Sequence, residues 1–301
     1  MLDAIYLVCK ELLKQNVLGE IIKRRAQRVV GGSELWYGFD SDNNIQFNLR
    51  FNNADWKLII YREGGMIKRS CKYPLSSGVI EPYGYYRFSD LSFYSHGSIP
   101  NIFGEEGGER QYFEKLRMFY SLYREDELRD DLERTIGEVL QNVELQEDLQ
   151  NRAKEIYGKL SVSFIPRREN QRDIKLTIEQ EGYRVFADFH GDGVKRGLLI
   201  LASLEILSNT GLLIEEIEIN QHPKALKNLV KHMVDLARRN NVQLFITTHS
   251  YYDALRYFYY AFESKQREKE FRCILLRRHK GVVEAEIRED IEEVIRELYP
   301  S

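Results

Sequence analysis

The order of apolar and polar residues changes along the chain and predicts a different structure in each part. Apolar residues within 2–25 recur at the spacing of one helix face. Residues 28–75 instead alternate between apolar and polar, as in 47–51 (FNLRF), and turn residues such as Gly64-Gly65 separate the alternating runs. The first part is therefore predicted to be a helix followed by an antiparallel β meander.

The middle of the chain lacks this alternation. Residues 74–108 are rich in Gly, Ser, Tyr and Pro, which is typical of irregular surface segments. Residues 110–159 are highly charged and almost free of Gly and Pro, and they predict two or three helices. After this helical insertion, short strands are expected at 160–165, 174–178 and 183–189.

From residue 193 onward, helices and short apolar strands alternate. Helices are predicted over 194–208 and from Pro223 to Arg239, and another begins at Tyr251. The segments between them, 211–215 and 242–247, are apolar strands. Strands that are apolar throughout and separated by helices indicate a buried parallel sheet, so the predicted fold class is α/β.

The pattern divides the chain into three predicted domains. These are an N-terminal part with the antiparallel meander (1–105), a helical insertion (106–160) and a C-terminal half that carries the candidate chemistry (161–301).

Composition excludes several classes of protein. The 301 residues have a formal net charge of −3, which implies no overall attraction to nucleic acid. The three cysteines are far apart and form no CxxC pair, which favours a reducing compartment and argues against a zinc site. No segment reaches the roughly 18–20 uninterrupted apolar residues of a membrane span. A cytoplasmic protein without membrane segments is expected.

Charged and polar residues follow the two apolar strands of the C-terminal half. Glu215 and Glu216 end the first strand, and Thr247 to Ser250, with His249 among them, follow the second. Taken singly, these are a strand that runs into a charged loop and an ordinary surface histidine. If both strands are parallel, however, two acids and a histidine meet at the sheet edge where α/β proteins bind ligands.

A glycine-containing turn precedes this region. Gly191-Asp192-Gly193-Val194-Lys195-Arg196 opens a predicted helix, and free N–H groups at a helix start can bind an anion. A simple turn is the alternative interpretation.

The order of these motifs resembles the ABC-type ATPase superfamily. It is most similar to the AAA-named, ABC-folded branch near the structural-maintenance-of-chromosomes, RecF and OLD ATPases. Gly191 to Arg196 resembles the family signature Ser-x-Gly-x-x-Arg. Leu212 to Glu218 with His222-Pro223 resembles the Walker B segment, and Thr247 to Ser250 is identical to the switch loop Thr-Thr-His-Ser. The resemblance is specific over 186–250 and looser over 1–75.

The resemblance implies an ABC-type (P-loop NTPase) fold that uses ATP and Mg²⁺. Glu216 would be the general base, Glu215 would support the Mg²⁺ ion and His249 would contact the γ-phosphate. Four signature residues would face the ATP held by a partner subunit: Gly191, Gly193, Lys195 and Arg196. The chain would thus dimerise through composite sites, as a homodimer or with an ABC-type partner, to remodel nucleic acid or a partner protein. Whether DNA is bound stays open.

Three departures from the family pattern keep an alternative open. Glu215 replaces the usual Asp, Gly191 replaces the signature Ser, and no G-x-x-x-x-G-K-[ST] loop occurs in the sequence. The 301 residues alone are therefore expected to bind ATP weakly. Met1 to Ile5 resembles the interior of the helix that follows this loop, which suggests an internal start codon or a truncated gene.

The alternative is a degenerate, non-hydrolysing subunit that pairs with a complete ATPase. Glu216 and His249 favour activity, whereas Gly191 and the missing loop favour the degenerate subunit. A nuclease of the OLD type has no support, because no acid-rich metal-binding domain follows His249.

Overall fold

The computed structural model separates the chain into two compact units, Met1–Met118 and Phe119–Ser301. The structure describes residues 45–51, 54–63, 66–75, 78–80, 83–87, 93–96, 115–119, 125–158, 160–166, 174–180, 182–279, 282–288 and 290–298. The helix predicted over 2–25 lies outside the described residues.

The first unit contains an antiparallel sheet. Its strands are β1 (Ile45–Phe51), β2 (Ala54–Glu63), β3 (Met66–Leu75), β4 (Gly78–Ile80), β5 (Tyr83–Arg87) and β6 (Phe93–His96). They follow the order β1-β2-β3-β5-β6, and β4 pairs with β3. Residues such as Phe47 and Leu58 are partners across β1 and β2, so the antiparallel meander predicted for this part is confirmed.

The expectation of irregular structure over 74–108 was wrong for three segments, because the sheet continues through β4, β5 and β6. The physical reason lies in the aromatic residues. Runs such as Tyr83–Arg87 and Phe93–His96 contain the Tyr and Phe that pleated strands favour.

The second unit begins within β7 (Arg117–Phe119). Its following elements are α1 (Glu125–Val139), α2 (Val143–Tyr157), β8 (Leu160–Pro166), β9 (Ile174–Gln180), β10 (Tyr183–Phe186), a 3₁₀ turn (Ala187–Phe189), α3 (Asp192–Ile206), β11 (Thr210–Ile214), α4 (Pro223–Arg239) and β12 (Val242–Ile246). Strands β8 to β10 form an antiparallel sheet, and two helices, α1 and α2, occupy most of the segment predicted to be helical.

The centre of this unit is a parallel pair of strands with helices around it. β11 and β12 run in the same direction, with Leu212 opposite Leu244. Helix α3 contacts α1, α2 and α4, and every residue from Lys195 to Glu205 is buried. Its sequence is apolar almost all round, which is the pattern of a helix inside a core. The predicted α/β class, with a parallel sheet, is therefore confirmed.

Helix α4 begins where sequence signals place it. Pro223 occupies the first helical position, and the Nδ1 atom of the preceding His222 accepts a hydrogen bond from the Lys224 N–H at 3.3 Å. The helix shares one core cluster with α1, α2 and α3.

The chain continues after β12 with a π-helical turn (Tyr251–Leu255), α5 (Arg256–Ala261), α6 (Ser264–Glu270), the antiparallel hairpin β13 (Cys273–His279) and β14 (Val282–Arg288), and α7 (Ile291–Leu298). A second small core cluster joins Leu255 to the buried face of α7. Among the helices within the described residues, none has the length and apolar character needed to cross a bilayer.

The three predicted domain ranges stay a prediction. Helices α1 and α2, which were assigned to a separate insertion, pack in the same core cluster as α3 and α4.

Candidate functional site

The turn after β11 and the loop after β12 lie side by side at one edge of the sheet. Ile214 and Ile246, the last residues of the two strands, are direct partners. The Thr247 N–H donates to the Ile214 carbonyl at 3.0 Å, and the Ile217 N–H donates to the Thr247 carbonyl at 3.3 Å. We call residues 215–218 the acid turn and residues 247–250 the switch loop.

Two predicted catalytic residues meet across this edge. The His249 Nε2 atom lies 3.2 Å from the Glu216 Oε1 atom, and the two side chains are 80% and 29% exposed. The Glu216 N–H donates to the Thr247 hydroxyl at 3.1 Å, which fixes the backbone from which the carboxylate extends. An acid and a histidine are therefore paired at an accessible position, at the carboxyl ends of parallel strands.

Glu216 has a strained backbone. Its φ of +49° lies in the left-handed region, where a side chain other than Gly costs roughly 1–2 kcal/mol. The other non-glycine residues with positive φ in the described part of the chain are all asparagines: Asn209, Asn220 and Asn241. Asparagine tolerates this conformation, whereas glutamate does not favour it. Strain of this kind concentrates at functional sites.

The side chain of Arg196 donates hydrogen bonds to the main chain of the acid turn. Although it belongs to the predicted signature motif, it is only 4% exposed, and its Nη2 atom donates to the carbonyl oxygens of Glu215 and Glu216, the latter at 3.3 Å. A guanidinium group that donates to two successive carbonyls fixes the path of the turn. In this chain Arg196 thus connects the start of α3 to the acid turn.

The main chain of Glu215 is held on both sides. Its N–H donates to the Phe119 carbonyl at 2.8 Å, and its carbonyl accepts from Arg196. Within the described ranges, no group of three or more His, Cys, Asp or Glu side chains is arranged to hold a metal ion. Mg²⁺ in nucleotide sites is commonly held by one or two carboxylates plus phosphate oxygens, and the metal role of Glu215 stays a prediction.

The predicted anion-binding turn opens α3 as expected, but its residues differ in exposure. Gly191 is the N-cap and lies at the surface with Asp192. Lys195 is buried, and its Nζ atom lies 2.8 Å from the Asp192 Oδ1 atom. The ammonium group of Lys195 therefore forms an ion pair within the first turn of the helix.

Gly193 makes a close approach that only glycine permits. A Cβ atom at this position would lie 2.0 Å from the Asn220 carbonyl oxygen, which belongs to the backbone. The Gly193 carbonyl accepts from Gln221 Nε2 at 2.7 Å and from the Tyr157 hydroxyl at 3.3 Å. The start of α3 is thus packed directly against the loop that follows the acid turn.

Sequence reasoning missed two features of this site. It did not place Arg196 on the acid turn, although a basic residue inside an apolar helix is a signal for a buried polar partner. It also assigned no role to Glu218, the third acid of the turn. The structure brings together Glu215, Glu216, His249 and Arg196.

Part of the chain is similar to a known family of ATPases. Residues 109–253 match the family model described as AAA ATPase domain. That range contains both the acid turn and the switch loop.

Two curated relatives match shorter parts of the chain. One is an uncharacterized protein of Methanocaldococcus jannaschii, 40% identical over 60 residues, which are 20% of this chain and 53% of the relative. The other is an ATP/GTP phosphatase of Helicobacter pylori, 25% identical over 119 residues, which are 38% of this chain and 31% of the relative. The chain thus matches about half the length of the first relative and about a third of the second.

A solved structure is also similar over most of the chain. It is an Smc head domain with an extended coiled coil, bound to the C-terminal domain of ScpA, from Pyrococcus furiosus. Identity is 10%, coverage is 99% of this chain and 88% of that chain, and the TM-score is 0.44. The family match over residues 109–253 confirms the resemblance to AAA-named ATPases that the motifs predicted for this part of the chain.

Proposed function

We propose that the chain carries the hydrolytic machinery of an ABC-type ATPase, with a P-loop NTPase fold, and cleaves the γ-phosphate of ATP with Mg²⁺. The observation that carries the proposal is the contact between Glu216 and His249 at the sheet edge. In this role Glu216 orients the attacking water and accepts its proton. Phosphoryl transfer requires mainly such positioning and stabilisation of charge.

The neighbouring residues take supporting roles in this proposal. Glu215 supports Mg²⁺, and His249 turns from Glu216 toward the γ-phosphate when nucleotide is present. The high exposure of the His249 side chain leaves room for that movement. The surface position of Gly191 leaves free N–H groups at the start of α3 for the phosphates of ATP held by a partner subunit.

Lys195 and Arg196 require a different role from the one that the family resemblance implies. Both side chains are buried and bonded within their own chain. We therefore assign them to holding the first turn of α3 and the acid turn, beside the nucleotide rather than in contact with it. The phosphatase activity named for the Helicobacter pylori relative is consistent with hydrolysis of a nucleoside triphosphate.

The test is Glu216→Gln in a form of the protein that contains a phosphate-binding loop. Removal of a general base lowers turnover by about 10²–10⁴-fold, while ATP binding is expected to persist. Glu147→Gln, the same change at an exposed position of α2, is the matched control and should keep wild-type turnover. Wild-type turnover in Glu216→Gln would remove Glu216 from the proposed role.

A second candidate is the non-hydrolysing subunit that pairs with a complete ATPase. It is favoured by Gly191, which stands where the family signature has a serine and therefore lacks a hydroxyl donor to phosphate. If the wild-type protein binds ATP but shows no turnover that depends on Glu216, this candidate is preferred.

Self-association through composite sites belongs to the same proposal. The start of α3 and the acid turn face ATP from two different subunits in such an assembly. Light scattering at micromolar concentration should show a dimer that depends on ATP and Mg²⁺, and a monomer under these conditions would contradict it. The remodelled substrate, whether nucleic acid or protein, is a further question for the assembled dimer.

A further inference from the structure

Glu218 connects the acid turn to the switch loop. One of its carboxylate oxygens, Oε1, accepts a hydrogen bond from the His249 N–H at 2.7 Å and another from the Ser250 N–H at 3.2 Å. Hydrogen bonds to an ionised carboxylate are shorter and stronger than those between neutral groups. The main chain of the switch loop is thus bound to a side chain of the acid turn.

The position of His249 depends on such polar contacts. Its side chain is 80% exposed, so packing against apolar neighbours cannot fix it. The acid turn holds the residue twice, because Glu218 binds the backbone N–H and Glu216 contacts the imidazole at 3.2 Å. The two glutamates lie two positions apart on the same turn and act on the same histidine.

The second oxygen of Glu218 lies in a less favourable environment than the first. The Oε2 atom is buried and has no hydrogen-bond partner among the residues that the structure describes. A buried acceptor without a donor is unfavourable, and a native structure retains it where another requirement outweighs its cost. Here that requirement is the pair of hydrogen bonds that Oε1 accepts from the N–H groups of His249 and Ser250.

We propose that Glu218 is a positioning residue, which holds the main chain of the switch loop so that the His249 imidazole meets the Glu216 carboxylate. The consequence for turnover rests on the function proposed above, whereas the effect on the loop does not. Glu218 itself touches neither nucleotide nor water in this role. The alternative is that Glu218 only stabilises the fold.

The first test measures amide hydrogen exchange at single residues in the 301-residue chain. In Glu218→Ala the His249 N–H should exchange at least about tenfold faster, since it loses a bond to a charged acceptor. The Ser250 N–H should change less, because the Thr248 hydroxyl also accepts from it, at 2.9 Å. Glu218→Gln should lie between Glu218→Ala and wild type, and Glu147→Gln should match wild type.

The second test is a double-mutant cycle on ATP turnover in the form that contains a phosphate-binding loop. Glu218→Ala should lower kcat roughly tenfold with a smaller change in KM, because Glu218 itself does not touch the nucleotide. In a His249→Ala background the same change should have almost no further effect, since both act through one residue.

The outcomes separate the two proposals. If the His249 amide keeps its protection in Glu218→Ala, or if the loss of kcat is equally large in the His249→Ala background, the positioning role is wrong. If the exchange rates change as expected but Glu216→Gln retains full turnover, the positioning role stands and the proposed hydrolytic function fails.

Discussion

Two carboxylate clusters in the second unit show how differently the chain uses acids. The acid turn holds Glu216 in a strained conformation, partly exposed and close to an exposed histidine. The other cluster lies between α2, α3 and α4, where the Glu205 carboxylate is completely buried between Arg152 and Arg239. One cluster leaves an acid accessible, and the other encloses it among cations.

The buried cluster is a connected ionic network. The Arg152 Nε atom lies 3.5 Å from Glu205 Oε1 and 3.4 Å from Asp148 Oδ1. Its Nη1 atom lies 3.2 Å from Asp235 Oδ2. Arg239 pairs with both Glu205 and Asp148. Burial raises the pKa of Glu205, and the two arginines oppose that rise. Burial alone would also raise the pKa of Asp148, but the same arginines lower it overall.

The two clusters are suited to different roles, one to stabilising the fold and the other to the proposed reaction. Charges that are buried and mutually paired hold helices together, and removing one partner leaves the other uncompensated. Charges at the strand ends are partly exposed and carry backbone strain, which is the arrangement expected of a functional site. Changes in the two clusters should therefore affect different properties, with stability most sensitive in the network and turnover most sensitive in the acid turn.

The largest effect on stability is expected from Arg152→Ala. Its side chain is 12% exposed and contacts Glu205, whose buried charge would lose one of its two arginine partners. Loss of one partner from a buried pair costs about 3–5 kcal/mol. Urea unfolding should show this loss, and Arg134→Ala, which removes an exposed pair with Asp131, should change stability by less than about 0.5 kcal/mol. Equal effects would mean that the network gives no special support.

The next effect is expected from Gly193→Ala. The added Cβ atom would meet the Asn220 carbonyl oxygen at 2.0 Å, and a backbone atom cannot move away without shifting its loop. Overpacking of this kind costs about 1–3 kcal/mol, and turnover should fall as well because the loop continues from the acid turn.

Gly191→Ala is the matched control for stability. Its Cβ atom would meet nothing within 4 Å, so the free energy of unfolding should fall by no more than about 1 kcal/mol, which is the typical cost of alanine at an N-cap. A loss of stability as large as that in Gly193→Ala would mean that loss of backbone freedom, and not the close approach, explains the result.

Some of this site could be predicted from the sequence and some could not. The strands before Glu215 and before Thr247 are mainly apolar, and such strands between helices indicate a parallel sheet, which would give them a shared edge. The partner of Arg196 could not be predicted, because α3 carries two adjacent basic residues and only the packed structure decides which one reaches the acid turn. Backbone strain at Glu216 is likewise a tertiary effect.

The ionic network could also not be predicted from the sequence pattern. Asp148, Arg152, Glu205 and Arg239 come from three helices, and each alone looks like an ordinary charge on a helix. The arrangement that buries them exists only when α2, α3 and α4 pack together. In contrast, the strands β5 and β6 carried a local signal in their tyrosines, which the Gly and Ser residues around them obscured.

A smaller effect, which depends on pH, is expected at His232 beside the network. Its Nε2 atom lies 3.1 Å from the Glu155 Oε2 atom, and its Nδ1 atom lies 3.1 Å from the Arg152 Nη1 atom. Burial lowers the pKa of His232 below 6.5, Glu155 and Asp235 oppose this, and Arg152 and Lys231 add to it. Between the folded pKa and 6.5 the unfolded chain binds the proton and the folded chain does not, so stability rises with pH across that window.

His232→Gln should remove this part of the pH dependence. Unfolding free energies of wild type and variant are compared at about pH 7.5 and about pH 5.5, on either side of the ordinary histidine pKa. The wild type should lose more stability than the variant on acidification. Parallel losses in the two proteins would show that His232 does not titrate differently in the folded state.

The smallest effect, and the sharpest contrast between the clusters, is expected from Glu216→Asn. Asparagine accepts the left-handed conformation that Glu216 adopts at φ +49°, as Asn220 does at φ +60°. Relief of strain should raise the free energy of unfolding by about 0.5–1 kcal/mol, less than the full left-handed cost because the contact with His249 is lost. Turnover should fall at the same time, since the shorter amide cannot act as the base.

The reciprocal change tests whether backbone strain is the cause. Asn220→Glu places a glutamate in the same left-handed region on the exposed surface and should lower stability by about 1 kcal/mol. Opposite signs for the two variants would establish that the acid turn sacrifices stability to place Glu216, as active sites commonly do. A loss of stability in both would instead show that the contact between Glu216 and His249 supports the fold, and the acid turn would then resemble the buried network more than a functional site.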